Sequence, residues 1–157
     1  MNADPMQYRV ARRLALQAGG ALLIAPWLPA FAADRDIADI PALAAFLAGR
    51  VPRWERIRLD LPRLADNGQA VPMKIVVDGP FAPGPYVKVI RLFSQRNPVP
   101  EMATFEFPVV VERIEVESRI RLAGTQRIVA VATMSDDALY AAATDVVVTI
   151  DACMDGT

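Results

Sequence analysis

From residue 56 onward the hydrophobic pattern has a period of two, and it is interrupted at short intervals by turn-forming residues. In 56–62 (RIRLDLP), Ile57, Leu59 and Leu61 point one way while Arg56, Arg58 and Asp60 point the other. The most regular alternation is 112–122 (ERIEVESRIRL). Ile114, Val116, Ser118, Ile120 and Leu122 share one face, and Glu115, Glu117, Arg119 and Arg121 share the other. Side chains alternate across a strand, so such runs are half-buried β-strands. Further short runs occupy 73–79, 87–94, 103–107, 126–134, 138–144 and 145–151, and the 126–134 run (QRIVAVATM) is apolar on both faces. Gly, Pro and Asp clusters separate them, among them Gly79–Tyr86 with its three prolines and two glycines. Seven or eight strands at intervals of about 8–12 residues predict an all-β, Ig-like antiparallel sandwich.

One segment breaks the pattern. In 40–49 (IPALAAFLAG), Leu43, Phe46 and Leu47 recur at helical spacing and Gly49 offers a stop, which predicts one short N-terminal helix.

The first thirty-two residues read as an export leader. Arg12-Arg13 precede an apolar run from Ala18 to Leu28, broken by Gly19, Gly20 and Pro26, and Ala30-Phe31-Ala32 supplies a small-x-small cleavage site. The run is too short and interrupted to span a bilayer comfortably. The expected organisation is a twin-arginine leader at 1–32, a sandwich at 33–150 and an arm at 151–157. Delivery to the periplasm is expected by the twin-arginine route, with the general secretory route open because Ala15 stands where a large apolar residue is usual.

Removing Arg9, Arg12, Arg13 and Asp4 turns 17 basic and 18 acidic residues into 14 and 17, a net charge of −3 on residues 33–157. Only Lys74 and Lys88 are lysines, and no basic stripe exists to neutralise phosphates, which argues against nucleic acid as a partner. Histidine is absent, removing Ser-His and Cys-His pairs, most zinc sites and the usual base near neutral pH. No catalytic residue, metal site or cofactor is expected.

What remains is Cys153, the single cysteine, just beyond the last apolar alternation (Val146, Val148, Ile150). Three readings fit it: an incidental buried thiol, an intermolecular disulfide, or a covalent handle loaded by other proteins. A short arm could hold the thiol about 10 Å clear of the strand end. Asp151 and Asp155 flank the sulfur and disfavour its thiolate, so reaction there calls for an outside catalyst. The alternating charges Glu112, Glu115, Glu117, Arg119 and Arg121 read as a solvated strand face, or else as a docking surface. The loop with Phe81 and Tyr86 reads as packing over one end of the sandwich, or else as an exposed aromatic.

The leader, 97–107 (NPVPEMATFEF), 118–136 (SRIRLAGTQRIVAVATMSD) and 145–153 (DVVVTIDAC) together resemble the SoxY family of sulfur-compound carriers. The resemblance covers roughly residues 40 to 155. It implies an Ig-like domain paired with a SoxZ-like subunit, and covalent attachment of substrate at Cys153. It also implies transient visits by a c-type haem enzyme that couples thiosulfate to the cysteine, and by a hydrolase that releases sulfate. The family's usual arm, Gly-Gly-Cys-Gly-Gly, is replaced here by Asp151-Ala152-Cys153-Met154-Asp155-Gly156, a stiffer and more acidic version. A non-catalytic periplasmic adaptor with no covalent role for the thiol is the alternative.

Overall fold

A computed structural model describes residues 39–81 and 83–150. The leader and the arm, and with them Asp151, Ala152, Cys153, Met154, Asp155 and Gly156, lie outside the described residues. Helix α1 (Pro41–Leu47) is followed by eight strands: β1 (Ile57–Asp60), β2 (Leu64–Ala65), β3 (Val71–Val77), β4 (Val87–Ser94), β5 (Glu101–Glu106), β6 (Ile114–Ile120), β7 (Gln126–Met134) and β8 (Leu139–Val148). They form two sheets, ordered β1-β3-β6 and β2-β8-β7-β4-β5. All pairings are antiparallel except β2 with β8, which is parallel and brings Leu64 beside Val147.

The two sheets close over one core. Met73 and Ile75 of β3, Ile90 and Leu92 of β4, Ile128, Ala130 and Ala132 of β7, and Val146 of β8 are buried in it. Phe81, 3% exposed, enters this core from the Gly79–Tyr86 loop, so that loop packs over the sandwich end. A second core lies on the opposite face of the five-stranded sheet. There Leu43 and Leu47 of α1, with Ile40, cover Phe93, Val129, Val131, Leu139 and Ala141. Phe46 adds a tilted ring contact with Phe93, centroids 5.5 Å apart. This explains why β7 is apolar on both faces: one faces the other sheet and one faces the helix.

The helix is short but well delimited. Pro41 sits at its first turn, where its missing N–H costs nothing. Ala48 adopts the left-handed conformation (φ 49°) and donates to the Ala44 carbonyl, ending it one residue before Gly49. The Arg50 guanidinium donates to the last carbonyls, those of Phe46 and Leu47.

The sequence divides 138–151 into two strands, and the structure corrects this to one, β8, of ten residues. Neither Thr144 nor Asp145 breaks the ladder. Thr144 Oγ1 donates to the Leu59 carbonyl at 2.8 Å, Asp145 pairs with Arg127, and β7 pairing continues to Gln126 opposite Val146. Strand β2 has no counterpart in the expected pattern, because two residues after Pro62 and Arg63 are too few to show alternation.

Candidate functional site: the root of the arm

Strand β8 delivers the chain to one end of the sandwich, and hydrogen bonds hold it until the last described residue. Val148 N–H donates to Thr125 Oγ1 at 3.0 Å. Thr149 N–H donates to the Ala65 carbonyl at 3.1 Å, and Thr149 Oγ1 donates to the Asp66 carbonyl. Gly68 N–H then donates to the Ile150 carbonyl at 2.9 Å, while Leu122 N–H donates to the Gly68 carbonyl at 2.8 Å. Val148 is buried, whereas Ile150 is 66% exposed. The backbone is therefore fixed through Ile150 and emerges into solvent there. Cys153 follows three residues later.

The loops that grip this root are themselves braced by a polar network. Asn97 Oδ1 accepts from Ala123 N–H and from Gln126 Nε2, both at 2.9 Å, and Asn97 Nδ2 donates to the Arg121 carbonyl at 2.8 Å. Ser94 Oγ donates to Gln126 Oε1 at 2.8 Å, and Asn97 N–H donates to Ser94 Oγ at 2.8 Å. Gln126 Oε1 also accepts from Arg96 N–H at 3.0 Å. Ser94 and Gln126 are the two buried polar residues among those described, and both are satisfied. The network ties the Asn97-Pro98 block to the 118–126 block, two stretches far apart in sequence.

Electrostatics near the root are set by Arg127 and Asp145, which meet in a two-pronged ion pair at 2.7 and 2.9 Å on neighbouring strands. The pairing holds the Asp145 carboxyl below its ordinary value and the Arg127 guanidinium above its own. Farther along the other sheet, Lys74 Nζ lies 2.5 Å from Glu115 and 3.0 Å from Glu117. The hydrogen bond from Lys74 depresses the Glu115 carboxyl, and Glu115 and then Glu117 raise the lysine.

Of the expected charged face, Glu115 and Glu117 are thus bound by one lysine, and both arginines stand apart. The Arg119 and Arg121 side chains are exposed and have no hydrogen bond or ion pair among the described residues. Sequence reasoning had no signal for Thr125, Gly68 or Thr149 as holders of the root. Asn97, standing before a proline in a turn-rich stretch, could have been found as an anchor from its own hydrogen-bonding habit.

The sequence profile described as "Sulfur oxidation protein SoxY" matches residues 43–153. The chain belongs to the SoxY family. The match ends on the cysteine itself. Among solved structures, the sulfur carrier protein SoxY from Chlorobium limicola f thiosulfatophilum is similar at 30% identity, with a TM-score of 0.56, covering 74% of this chain and 99% of that one. A putative superoxide reductase from Thermotoga maritima is similar at 16% identity, with a TM-score of 0.52, covering 60% and 87%. That second likeness is one of fold alone. No curated protein matches the chain. SoxY membership agrees with the sandwich.

Proposed function

We propose that this SoxY-family protein is a periplasmic sulfur carrier that holds a covalent sulfur adduct on Cys153 while other enzymes act on it. The observation that carries this reading is the family match running through residue 153, together with a β8 strand pinned to the end of the sandwich just before it. A fixed root and a short projecting arm suit a thiol that must enter another protein's active site. The chain supplies no histidine base near the thiol's place in the sequence or anywhere else.

In this reading a partner c-type haem enzyme joins thiosulfate to the cysteine. The thiolate sulfur bonds to the outer sulfur of thiosulfate, and two electrons pass to the haem. The product is a cysteine-S-thiosulfonate. A hydrolase then directs water onto the terminal sulfur, the S–S bond to the sulfonate breaks, sulfate leaves, and a persulfide stays on Cys153. A SoxZ-like subunit is the expected stable partner, and export in the folded state by the twin-arginine leader would carry both together. This protein is then a substrate-holding subunit and not itself an enzyme.

Intact-mass spectrometry tests this on protein purified without reductant from thiosulfate-oxidising cells. A gain of about 112 Da for the thiosulfonate, or steps of about 32 Da for added sulfur, is expected and disappears in Cys153→Ser. An unmodified thiol under those conditions favours an adaptor without covalent chemistry.

A further inference from the structure

Helix α1 covers only part of the outer face of the five-stranded sheet. Along β8 that face carries Leu139 and Ala141, which lie under the helix, and then Ala143, Asp145 and Val147, which are exposed. The face continues onto β2, where the parallel pairing sets Leu64 beside Val147. Leu64 is 59% exposed and Val147 49%, while their neighbours Ala65 and Val148 turn inward and are buried. Next to this apolar pair runs a shallow groove of about 450 Å³, lined in part by Arg63, Ala143, Asp145 and Val147. Asp145 is taken by Arg127. The Arg63 side chain has no hydrogen bond or ion pair among the described residues. The surface is thus apolar at its centre, with one unanswered cation at its rim.

Two observations tie this patch to the root of the arm. The first is mechanical. Val147 N–H donates to the Arg63 carbonyl at 2.9 Å and Thr149 N–H to the Ala65 carbonyl at 3.1 Å, so the bonds that fix the root also fix the patch. The second is reach. Cys153 is the third residue past Ile150, so its thiol stands no more than about 10 Å from the strand end. Val147 lies three residues back from Ile150, about 10 Å along the chain. A protein that takes this thiol into its active site must bring its own surface within that distance of Ile150, and the patch already lies there. The other exposed valines near β5 are farther off. Val109 and Val110 follow the bond from Phe107 N–H to the Lys88 carbonyl, at the opposite end of the sheet, and Val99 precedes β5, three strands across from β8.

We propose that the Leu64–Val147 patch is the landing surface for the enzyme that loads Cys153, a protein whose active-site mouth is rimmed by apolar side chains with a carboxylate placed to meet Arg63. Because patch and root share backbone bonds, docking there fixes the arm's origin relative to the enzyme and presents the thiol at high effective concentration. The inference rests on the carrier reading, and its test separates the two.

The test uses the full mature protein, with whatever subunit copurifies, and periplasm from thiosulfate-grown cells lacking this gene. Thiosulfate-dependent mass gain at Cys153 is followed over time at several protein concentrations. Leu64→Ser with Val147→Thr removes apolar surface and keeps a branched residue on β8. It should raise the KM for loading about tenfold and leave the rate at saturation unchanged. Arg63→Glu should raise KM about threefold, an effect lost at about 500 mM salt. Val99→Ser, and Val109→Ser with Val110→Ser, should change neither quantity. Iodoacetamide should alkylate Cys153 at one rate in all of these proteins, since the thiol itself is untouched.

Protein carrying Cys153→Ser keeps the patch and lacks the thiol, so it should inhibit loading of the wild type. Adding Leu64→Ser and Val147→Thr to it should weaken that inhibition about tenfold. Equal KM for wild type and patch variants, or equal inhibition by the two thiol-free proteins, overturns the proposal and leaves the carrier reading standing. Patch variants that shed a copurifying subunit also overturn it, because the patch is then a subunit interface. A wild-type thiol that gains no mass in this assay removes the carrier reading, and the landing surface with it.

Discussion

Gln126 Nε2 donates to Asn97 Oδ1 at 2.9 Å, joining the loop between β4 and β5 to the start of β7. Because Gln126 is 4% exposed and also accepts from Ser94 and Arg96, its amide cannot be removed without orphaning buried donors. Gln126→Ala is expected to cost about 2–4 kcal/mol, the sum of a small cavity and unsatisfied polar groups. Urea denaturation measures it. A cost under about 0.5 kcal/mol would mean the network contributes little.

The helix depends on burial and not on its own propensity, since seven residues are too few for an isolated helix to persist in water. Leu43 is 1% exposed between α1 and the sheet. Leu43→Ala should lower stability by about 2–4 kcal/mol. Hydrogen exchange at Ala44 and Ala48 should accelerate more than exchange in β3, because β3 packs in the core between the sheets and not in the one beneath the helix. Equal acceleration in both places would argue that helix and sandwich melt as one unit.

Asp145 gives the protein a defined acid response. Its folded-state pKa lies below the unfolded value, owing to the bond from Arg127. The stabilisation is therefore fully present above the unfolded pKa of about 3.9 and is lost as pH falls through the lower folded value. The carboxylate is 68% exposed, so screening limits the contribution to below about 1 kcal/mol. Asp145→Asn should lower stability by up to about 1 kcal/mol at pH 7 and change little near pH 2, flattening the decline between. A variant that destabilises equally at pH 7 and pH 3 would point to packing instead of charge.

The leader reading is tested by export. Arg12→Lys with Arg13→Lys should leave the unprocessed chain in the cytoplasm, and the exported wild-type protein should begin at Ala33. Export that survives the double change but stops when the apolar run is interrupted would assign the general secretory route.

Much of the sandwich was legible because alternation is a local property. β4 and β7 match the expected 87–94 and 126–134 runs residue for residue, since each is bounded by turn formers and filled with β-branched and other apolar side chains. The short helix was legible from Leu43, Phe46 and Leu47, whose spacing of three and four residues repeats a helical face. The division at Thr144 was misread because a polar pair resembles a turn until its partners, Leu59 and Arg127, are brought alongside.

Cys153 could be singled out from the sequence, because one thiol in a chain without histidine leaves few other seats for chemistry. Its anchorage could not. That Gly68 and Thr149 hold the root, and that Arg119 and Arg121 find no partner among the described residues while Lys74 takes both glutamates, depends on contacts between segments some 40 to 85 residues apart. Alternation and turn chemistry are written into neighbouring residues and so are set by sequence alone. Which charge finds a counter-charge, and which strand edge stays open, is decided only when distant strands are packed side by side.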